Sequence, residues 1–354
     1  MLTQPHNRFL AAVLALAVLL GSALPVYATE NAPVETLPAE TVSAETVPAE
    51  TMPEETEPPV APLIAADPDT AVFQICEDIL ADSEARFAIV YHTGTAQVLY
   101  SHAAGNGKLF PASITKLFTA YVALQYLDPE TVVTAGSELK LVEPGSSLAW
   151  IARGHQIKVK MLVEGMLLPS GNDAAMVLSC AAGRVIAQDP QLGASEAVQV
   201  FVDEMNRQAE LLGFEMSNFI SPDGWHSGAH YTCLNDLARI AALALQNETI
   251  RRYMKVGRHE TNFYSGQAIT WENTNLLVLP GSGFYRSDAL GMKTGYTRPA
   301  GYSLMSAFSF EEGDIVVGLF GYTDKTMRFQ DSIDLYRAVR DQLRLQGKSS
   351  ESVG

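Results

Sequence analysis

Ser113, Lys116, Ser170, Asn172, Lys293 and Thr294 are residues whose types and spacing could do chemistry together. Ser113 and Lys116 stand three apart in Phe110-Pro111-Ala112-Ser113-Ile114-Thr115-Lys116-Leu117-Phe118-Thr119. A helix would stack them on one face, one turn from each other. A serine hydroxyl is a weak nucleophile until a base takes its proton, and a lysine made neutral by burial can be that base. Ser113 would then attack a carbonyl carbon and become acylated. Alone, Ser-x-x-Lys occurs about once by chance in a chain of this length at average composition.

Two further short stretches change that weight: Ser170-Gly171-Asn172 and Lys293-Thr294-Gly295 follow in order at wide intervals. Ser170 can relay a proton to a leaving amine. Asn172 can hold Lys116 or a substrate amide. Lys293 and Thr294 can bind a terminal carboxylate, and Lys293, as a second cation, would lower the pKa of Lys116 further. Read singly, the first stretch is a turn and helix cap and the second a strand end. Jointly these bland readings lose ground, because independent chances multiply.

The elements that must position these residues are legible in outline. Pro111 suits a helix entrance, where its missing N–H costs nothing. Ile114, Leu117, Phe118, Tyr121 and Val122 then follow helical spacing, so the nucleophile is expected in the first turn of a helix. Upstream, Asp67-Pro68 opens a helix with Val72, Ile75, Cys76, Ile79 and Leu80 on its buried face. Phe87–Tyr91 and Gln97–Tyr100 read as a hairpin through Thr93-Gly94-Thr95. From about residue 128 to 282 the pattern is mostly helical, with loops. Strand-like runs return at Leu290–Thr297, Tyr302–Phe310 and Ile315–Gly321, and a helix from Arg328 to Leu345 ends the pattern. Strands first and last, helices between, predict an α+β body: one antiparallel sheet lobe flanked by helices and one all-helical lobe, with the site at their boundary.

The ends are of another kind. Residues 1–28 read as a secretory signal peptide: Arg8, an apolar run from Phe9 to Leu20, and small residues at Val26-Tyr27-Ala28. The rival is an uncleaved anchor, since the run extended to Val26 reaches the ~18 residues a span needs. Gly21, Ser22 and Pro25 favour cleavage, and either way the body lies outside the cytoplasm. Residues 29–66 form a stalk in which Glu-Thr recurs at residues 35, 40, 45, 50 and 55, with no lysine or arginine between Glu30 and Ala85. Such a segment cannot bury a core and is expected to stay extended. The folded domain is expected over residues 67–346, with a disordered tail at 347–354.

Charge and composition exclude other classes. The 354 residues carry a net charge of −16, which argues against a nucleic-acid partner. Three cysteines, Cys76, Cys180 and Cys233, make no disulfide framework or metal cluster, although one pair could bridge. The histidines show no H-E-x-x-H spacing, so no metal is implied; Gly228 between His226 and His230 marks a loop.

The ordered set Ser113-x-x-Lys116, Ser170-Gly171-Asn172 and Lys293-Thr294-Gly295 resembles the penicillin-recognising serine enzymes. With the flanks Pro111–Leu117, Ser170–Ala174, Asn273–Leu277 and Gly291–Thr297, it resembles the low-molecular-mass serine D-alanyl-D-alanine carboxypeptidases over roughly residues 70–340. The resemblance implies the β-lactamase/transpeptidase-like fold and an acyl-serine path that removes the terminal D-alanine of a peptidoglycan stem peptide. β-Lactams would be inhibitors, with no cofactor and no obligate protein partner. It also implies an oxyanion hole from the backbone N–H groups of Ser113 and Tyr296, and a carboxylate-binding arginine shortly after the third terminal strand. Arg328 fits that place; Arg298 is its competitor, and pairing with Asp324 or Asp331 would make Arg328 an ordinary surface residue. The chain departs from longer members in stopping soon after its last helix, without a C-terminal β-domain or anchoring helix. Two rivals remain. A class A β-lactamase needs a deacylating carboxylate, yet no E-x-x-L-N-like stretch lies between Asn172 and Lys293. A non-catalytic β-lactam sensor or wall-binding module would not need Ser113, Lys116 and Lys293 intact.

Overall fold

The computed structural model describes residues 62–103 and 107–351, with side chains to Gly347. The expected signal peptide, and the stalk up to residue 61, lie outside the described residues. In chain order the elements are α1 (Ala71–Leu80), β1 (Phe87–His92), β2 (Gln97–Ala103), α2 (Thr115–Ala123), β3 (Val132–Thr134), β4 (Gln156–Lys158), α3 (Val159–Leu167), α4 (Asn172–Ile186) and α5 (Ala194–Leu211). Then follow α6 (Leu234–Gln246), α7 (Glu248–Met254), β5 (Arg258–Asn262), β6 (Ala268–Glu272), β7 (Ala289–Thr297), β8 (Gly301–Phe308), β9 (Ile315–Tyr322) and α8 (Met327–Glu351).

The terminal strands form one antiparallel sheet in the order β2-β1-β9-β8-β7. Both faces are covered. Phe87, Ile89 and Tyr91 of β1 join the core shared with the helical lobe, while Ala88 and Val90 face the layer that holds Val72 of α1 and Phe329, Ile333 and Tyr336 of α8. A strand buried on both faces reads as a continuous apolar run rather than an alternation, as Phe87–Tyr91 does. The order leaves β7 at an edge, with one side open for pairing.

Four expectations are corrected. The helical lobe is not all helix: β3 pairs with β4, and β5 with β6, in two small antiparallel ribbons. In the β5–β6 ribbon β5 is polar throughout, and β6 turns only Ile269 and Trp271 inward between exposed neighbours, an alternation of five residues too short to stand out from the helical pattern around it. Helix α1 is capped by Thr70, whose Oγ1 accepts from the Phe73 N–H at 3.2 Å; Asp67 instead closes the preceding turn on the Asp69 N–H. At the far end α8 continues to Glu351, past the expected boundary at 346. The stalk also ends earlier than expected. Ile64 bridges β2, its N–H donating to Ala96 O at 2.9 Å and its carbonyl accepting from the Val98 N–H at 2.8 Å, and Leu63 and Ala66 pack on the core. A backbone pairing of this sort needs no particular side chain, so composition could not locate it. The three cysteines are free. Among the described residues no helix is long and apolar enough to cross a membrane.

Deleting residues 29–61 should leave kcat/KM on soluble peptides unchanged. Extending the deletion through Ala66 removes two backbone hydrogen bonds and the Leu63 contact, and should cost about 1–3 kcal/mol, read as a lower Tm.

Candidate active site

Ser113 does not lie inside α2. Ala112–Ile114 form a 3₁₀ turn that leads into the helix, closed by the Ile114 N–H on Pro111 O at 3.1 Å. Ala112 is held at φ +49, a left-handed conformation that a non-glycine residue adopts only when its surroundings enforce it. The enforcement comes from two sides. Gly295 of β7 lies so close that an added Cβ would stand 3.1 Å from Pro111 O and 3.4 Å from the Ala112 Cβ. Gly224, at φ +78, packs beneath the turn, where a Cβ would come within 1.9 Å of Ala112 O. The nucleophile turn is thus clamped between the sheet edge and the 221–224 loop.

Lys116 is fully buried, and its Nζ lies 2.8 Å from each of Ser113 Oγ, Asn172 Oδ1 and Asp223 O. Two of these partners, the amide oxygen and the carbonyl, can only accept. A neutral amine has two N–H groups and one lone pair. The two fixed acceptors take both N–H groups, so the lone pair is left to Ser113, whose O–H can then donate to it. Burial pushes the Lys116 pKa down to about 8, with Asp223 and Asp173 opposing the shift. Lys293 is also fully buried and is held well below the usual lysine range by burial, with Lys116 and Arg328 adding like-charge repulsion. Its ammonium donates to Thr294 O at 3.0 Å and lies behind the cleft wall rather than on it.

The cleft itself is a cavity of about 280 Å³ lined by Ser113, Ser170, Asn172, Thr294, Gly295, Tyr296 and Arg328, among others. Ser170 occupies the turn between α3 and α4 at φ +64, and no described residue hydrogen-bonds its hydroxyl. Asn172 opens α4 and resolves the choice its sequence position left open: Oδ1 holds Lys116, while Nδ2 donates to Ser146 Oγ at 2.9 Å. Its backbone N–H donates to Ser147 O at 2.8 Å, so the 145–147 loop is tied to the same residue that holds the base.

Arg328 reaches the cleft from the start of α8. It is 7 % exposed, stacks on Tyr302 and Phe329, and has no carboxylate partner among the described residues. Its Nε and Nη1 are buried without acceptors, and burial pushes its pKa down to about 10. Asp324 is occupied by Thr326 and the Met327 N–H, and Asp331 by Ser83 and Tyr322, so neither makes a direct ion pair with it. Arg298 is exposed and stands outside the cleft lining. A buried cation left without an acceptor is a built anion site.

Sequence reasoning missed several residues that finish the site. Asp223 contributes a backbone carbonyl, and Thr119 fixes the same loop by donating to Pro222 O at 2.6 Å. Buried His230 accepts the Ile220 N–H at Nδ1, so Nε2 carries the proton and donates to Thr115 Oγ1 at 2.9 Å. Burial pushes its pKa to about 4, so it stays neutral and structural. Thr274 places Oγ1 2.6 Å from Thr294 Oγ1. The turn-forming run Ser221-Pro222-Asp223-Gly224 was the available signal for the loop.

This is the architecture of the DD-peptidase fold. The crystal structure of a Streptomyces DD-transpeptidase superposes with a TM-score of 0.63 at 29 % identity, over 72 % of this chain and 97 % of that one. A Francisella tularensis carboxypeptidase of 23 % identity has the same fold, with a TM-score of 0.61 over 72 % of this chain and 70 % of the other. The family profile described as D-alanyl-D-alanine carboxypeptidase matches residues 74–320, and the chain belongs to that serine peptidase family. A Streptomyces D-alanyl-D-alanine carboxypeptidase is 32 % identical over 243 residues, 64 % of this chain and 77 % of its own length. One from Bacillus subtilis is 28 % identical over 227 residues, 63 % of this chain and 54 % of its own. One from Escherichia coli is 28 % identical over 260 residues, 70 % of this chain and 59 % of its own. The chain therefore spans little more than half the length of the last two.

The lone pair on Lys116 exists only above its pKa. The rate of Ser113 acylation by penicillin should rise with pH and level off above about 8. Lys116→Arg should be nearly as inactive as Lys116→Ala, because a guanidinium keeps its proton. An Arg variant that retains most of the rate would show that Lys116 supplies charge and not basicity.

Proposed function

We propose that this protein is an exported serine D,D-carboxypeptidase that releases the terminal D-alanine from peptidoglycan stem pentapeptides and is acylated by β-lactams. The observation that carries this reading is the contact of Lys116 Nζ with Ser113 Oγ, with both other Nζ partners fixed acceptors. Ser113 Oγ attacks the carbonyl carbon of the penultimate D-alanine, and its proton passes to Lys116. The backbone N–H groups of Ser113 and Tyr296 stabilise the oxyanion. The carbon–nitrogen bond breaks as the amine of the last D-alanine takes up a proton, with Ser170 as the relay. Water then attacks the acyl-serine and frees Ser113. Arg328 and Thr294 hold the terminal carboxylate, and Lys293 adds its field from behind the wall. Export rests on the signal-like residues 1–28, and the stalk would hold the body away from the membrane.

The β-lactamase alternative is disfavoured by the one carboxylate that lines the cleft among the described residues. Asp223 Oδ1 accepts from Ser221 Oγ and the Trp225 N–H, and Oδ2 is closed off from solvent. Its Oδ1 is thus already engaged by two donors of its own loop. A penicillin adduct should therefore persist on the native protein and be absent from Ser113→Ala, as read by intact mass.

The direct test is release of free D-alanine from a pentapeptide ending in D-Ala-D-Ala; no release from the folded, penicillin-reactive protein would sink the reading. Arg328→Ala should lose about 1.5–3 kcal/mol in kcat/KM on that peptide, the range for hydrogen bonds to a charged group. The loss should shrink when the peptide end is amidated. Equal losses on both peptides would mean that Arg328 supports the fold.

A further inference from the structure

Arg328 enters the cleft with only aromatic rings to steady its guanidinium. Its Nε and Nη1 have no acceptor, and its guanidinium carbon lies 5.0 Å from the Tyr302 ring centre and 4.7 Å from that of Phe329. A guanidinium over a ring face is attracted without the fixed direction of a hydrogen bond. Its place in the cleft therefore depends on where its own backbone stands, one residue into α8.

That backbone is gripped from outside the cleft, by the turn between α1 and β1. Glu84 Oε2 accepts from the Thr323 N–H at 2.8 Å, the Thr323 hydroxyl at 2.7 Å and the Asp324 N–H at 3.2 Å. Asp324 passes the grip on. Its Oδ1 accepts from the Thr326 N–H and hydroxyl, both at 2.6 Å, and from the Met327 N–H at 3.0 Å, and so caps α8. Ser83 braces the next turn of the helix: its hydroxyl donates to Asp331 Oδ2 at 2.6 Å, beside the Tyr322 hydroxyl at 2.7 Å. Arg328 and Asp331 are three apart, so the brace falls one turn from the guanidinium. The backbones beneath are joined as well. The Arg86 N–H donates to Phe320 O at 2.9 Å, and Gly321, at φ +91, lies so close that an added Cβ would meet the Arg86 Cβ at 2.7 Å. Neither Ser83 nor Glu84 lines the cleft. Glu84 is exposed, and an exposed carboxylate ordinarily stays with water; this one accepts three donors from a single loop.

We propose that Glu84 is a positioning residue for substrate recognition: through Asp324 and the cap of α8 it holds Arg328 where the terminal carboxylate binds. A guanidinium fork serves a carboxylate only when its N–H groups point at the two oxygens, so a small shift at the helix start is felt as lost recognition. Glu84 itself touches neither the substrate nor the reacting atoms. The proposal rests on the reading of Arg328 as the group that holds that carboxylate.

The test measures binding of a peptide ending in D-Ala-D-Ala, and of its C-terminal amide, to Ser113→Ala alone and with Glu84→Ala, Arg328→Ala or both added. Glu84→Ala should weaken binding of the free acid by about three- to ten-fold, less than Arg328→Ala does, and should affect the amide far less. With Arg328→Ala present it should add nothing further, because its action runs through Arg328. Glu84→Gln keeps an acceptor oxygen and should retain most of the binding. In the protein with Ser113 intact, the loss from Glu84→Ala should appear in KM and not in kcat. Equal weakening of acid and amide, full additivity with Arg328→Ala, or no weakening at all overturns the proposal. If the coupling is present in binding but the native protein releases no D-alanine, the positioning role stands and the carboxypeptidase reading falls. If D-alanine is released and Arg328→Ala selectively weakens the acid while Glu84→Ala does not, the reading stands and the positioning role falls.

Discussion

The structure turns on the burial of one amine against two acceptors that cannot donate. Moving a charged ammonium out of water costs several kcal/mol even after relaxation. Here no carboxylate meets the cost: burial takes the Lys116 pKa down to about 8 and holds Lys293 well below the usual lysine range, without an ion pair for either among the described residues. Adding Arg328 makes three buried cationic side chains on one side of the molecule. Burial is the reason Lys116 can lose its proton near pH 8, since the charges that act on it, Asp223 and Asp173, oppose the shift. Repulsion adds to burial at Lys293, which feels both Lys116 and Arg328. An anion placed beside these groups would offset that repulsion.

Holding that amine in place requires backbone that an unconstrained chain would avoid. Of the non-glycine residues at positive φ, Ala112 adjoins the nucleophile, Ser170 lines the cleft, Trp150 borders a groove beside it, and Met292 precedes Lys293. Each such residue costs about 1–3 kcal/mol. What sustains them is packing from neighbours of both lobes: β7 through Gly295, the 221–224 loop through Gly224, and α4 through Asp173. The large shared core, from Ile89 and Phe320 in the sheet to Leu162 and Ala241 in the helices, makes the two lobes one rigid support.

What was legible in the sequence were side chains with chemistry of their own. Ser113, Ser170, Asn172, Thr294 and Arg328 come together in one cleft with Lys116 buried behind Ser113, and the terminal strands and the flanking helices lie where apolar patterning put them. What was not legible is carried by the backbone or by polar neighbours without a pattern. The Asp223 carbonyl that completes the Lys116 shell has no sequence signature, since every residue has a carbonyl. The Ile64 bridge is invisible for the same reason. The β5–β6 ribbon escaped because β5 is polar throughout and the Ile269–Trp271 alternation of β6 spans only five residues. Lys293, expected to bind a terminal carboxylate together with Thr294, is fully buried with its Nζ on Thr294 O, because a strand residue's face is set by register, which composition does not state.

The edge position of β7 links the fold to the choice of substrate. An edge strand carries unpaired N–H and C=O groups, and the side of β7 away from β8 faces the nucleophile turn. An extended peptide laid there would gain main-chain hydrogen bonds that do not depend on its side chains. The opposite wall, formed by Asn172 and the 145–147 loop, then fixes how deep the peptide sits. On the proposed carboxypeptidase reading, such a cleft would read a backbone ending in a carboxylate through main-chain contacts, and discrimination among peptides would have to come from side chains off the edge strand.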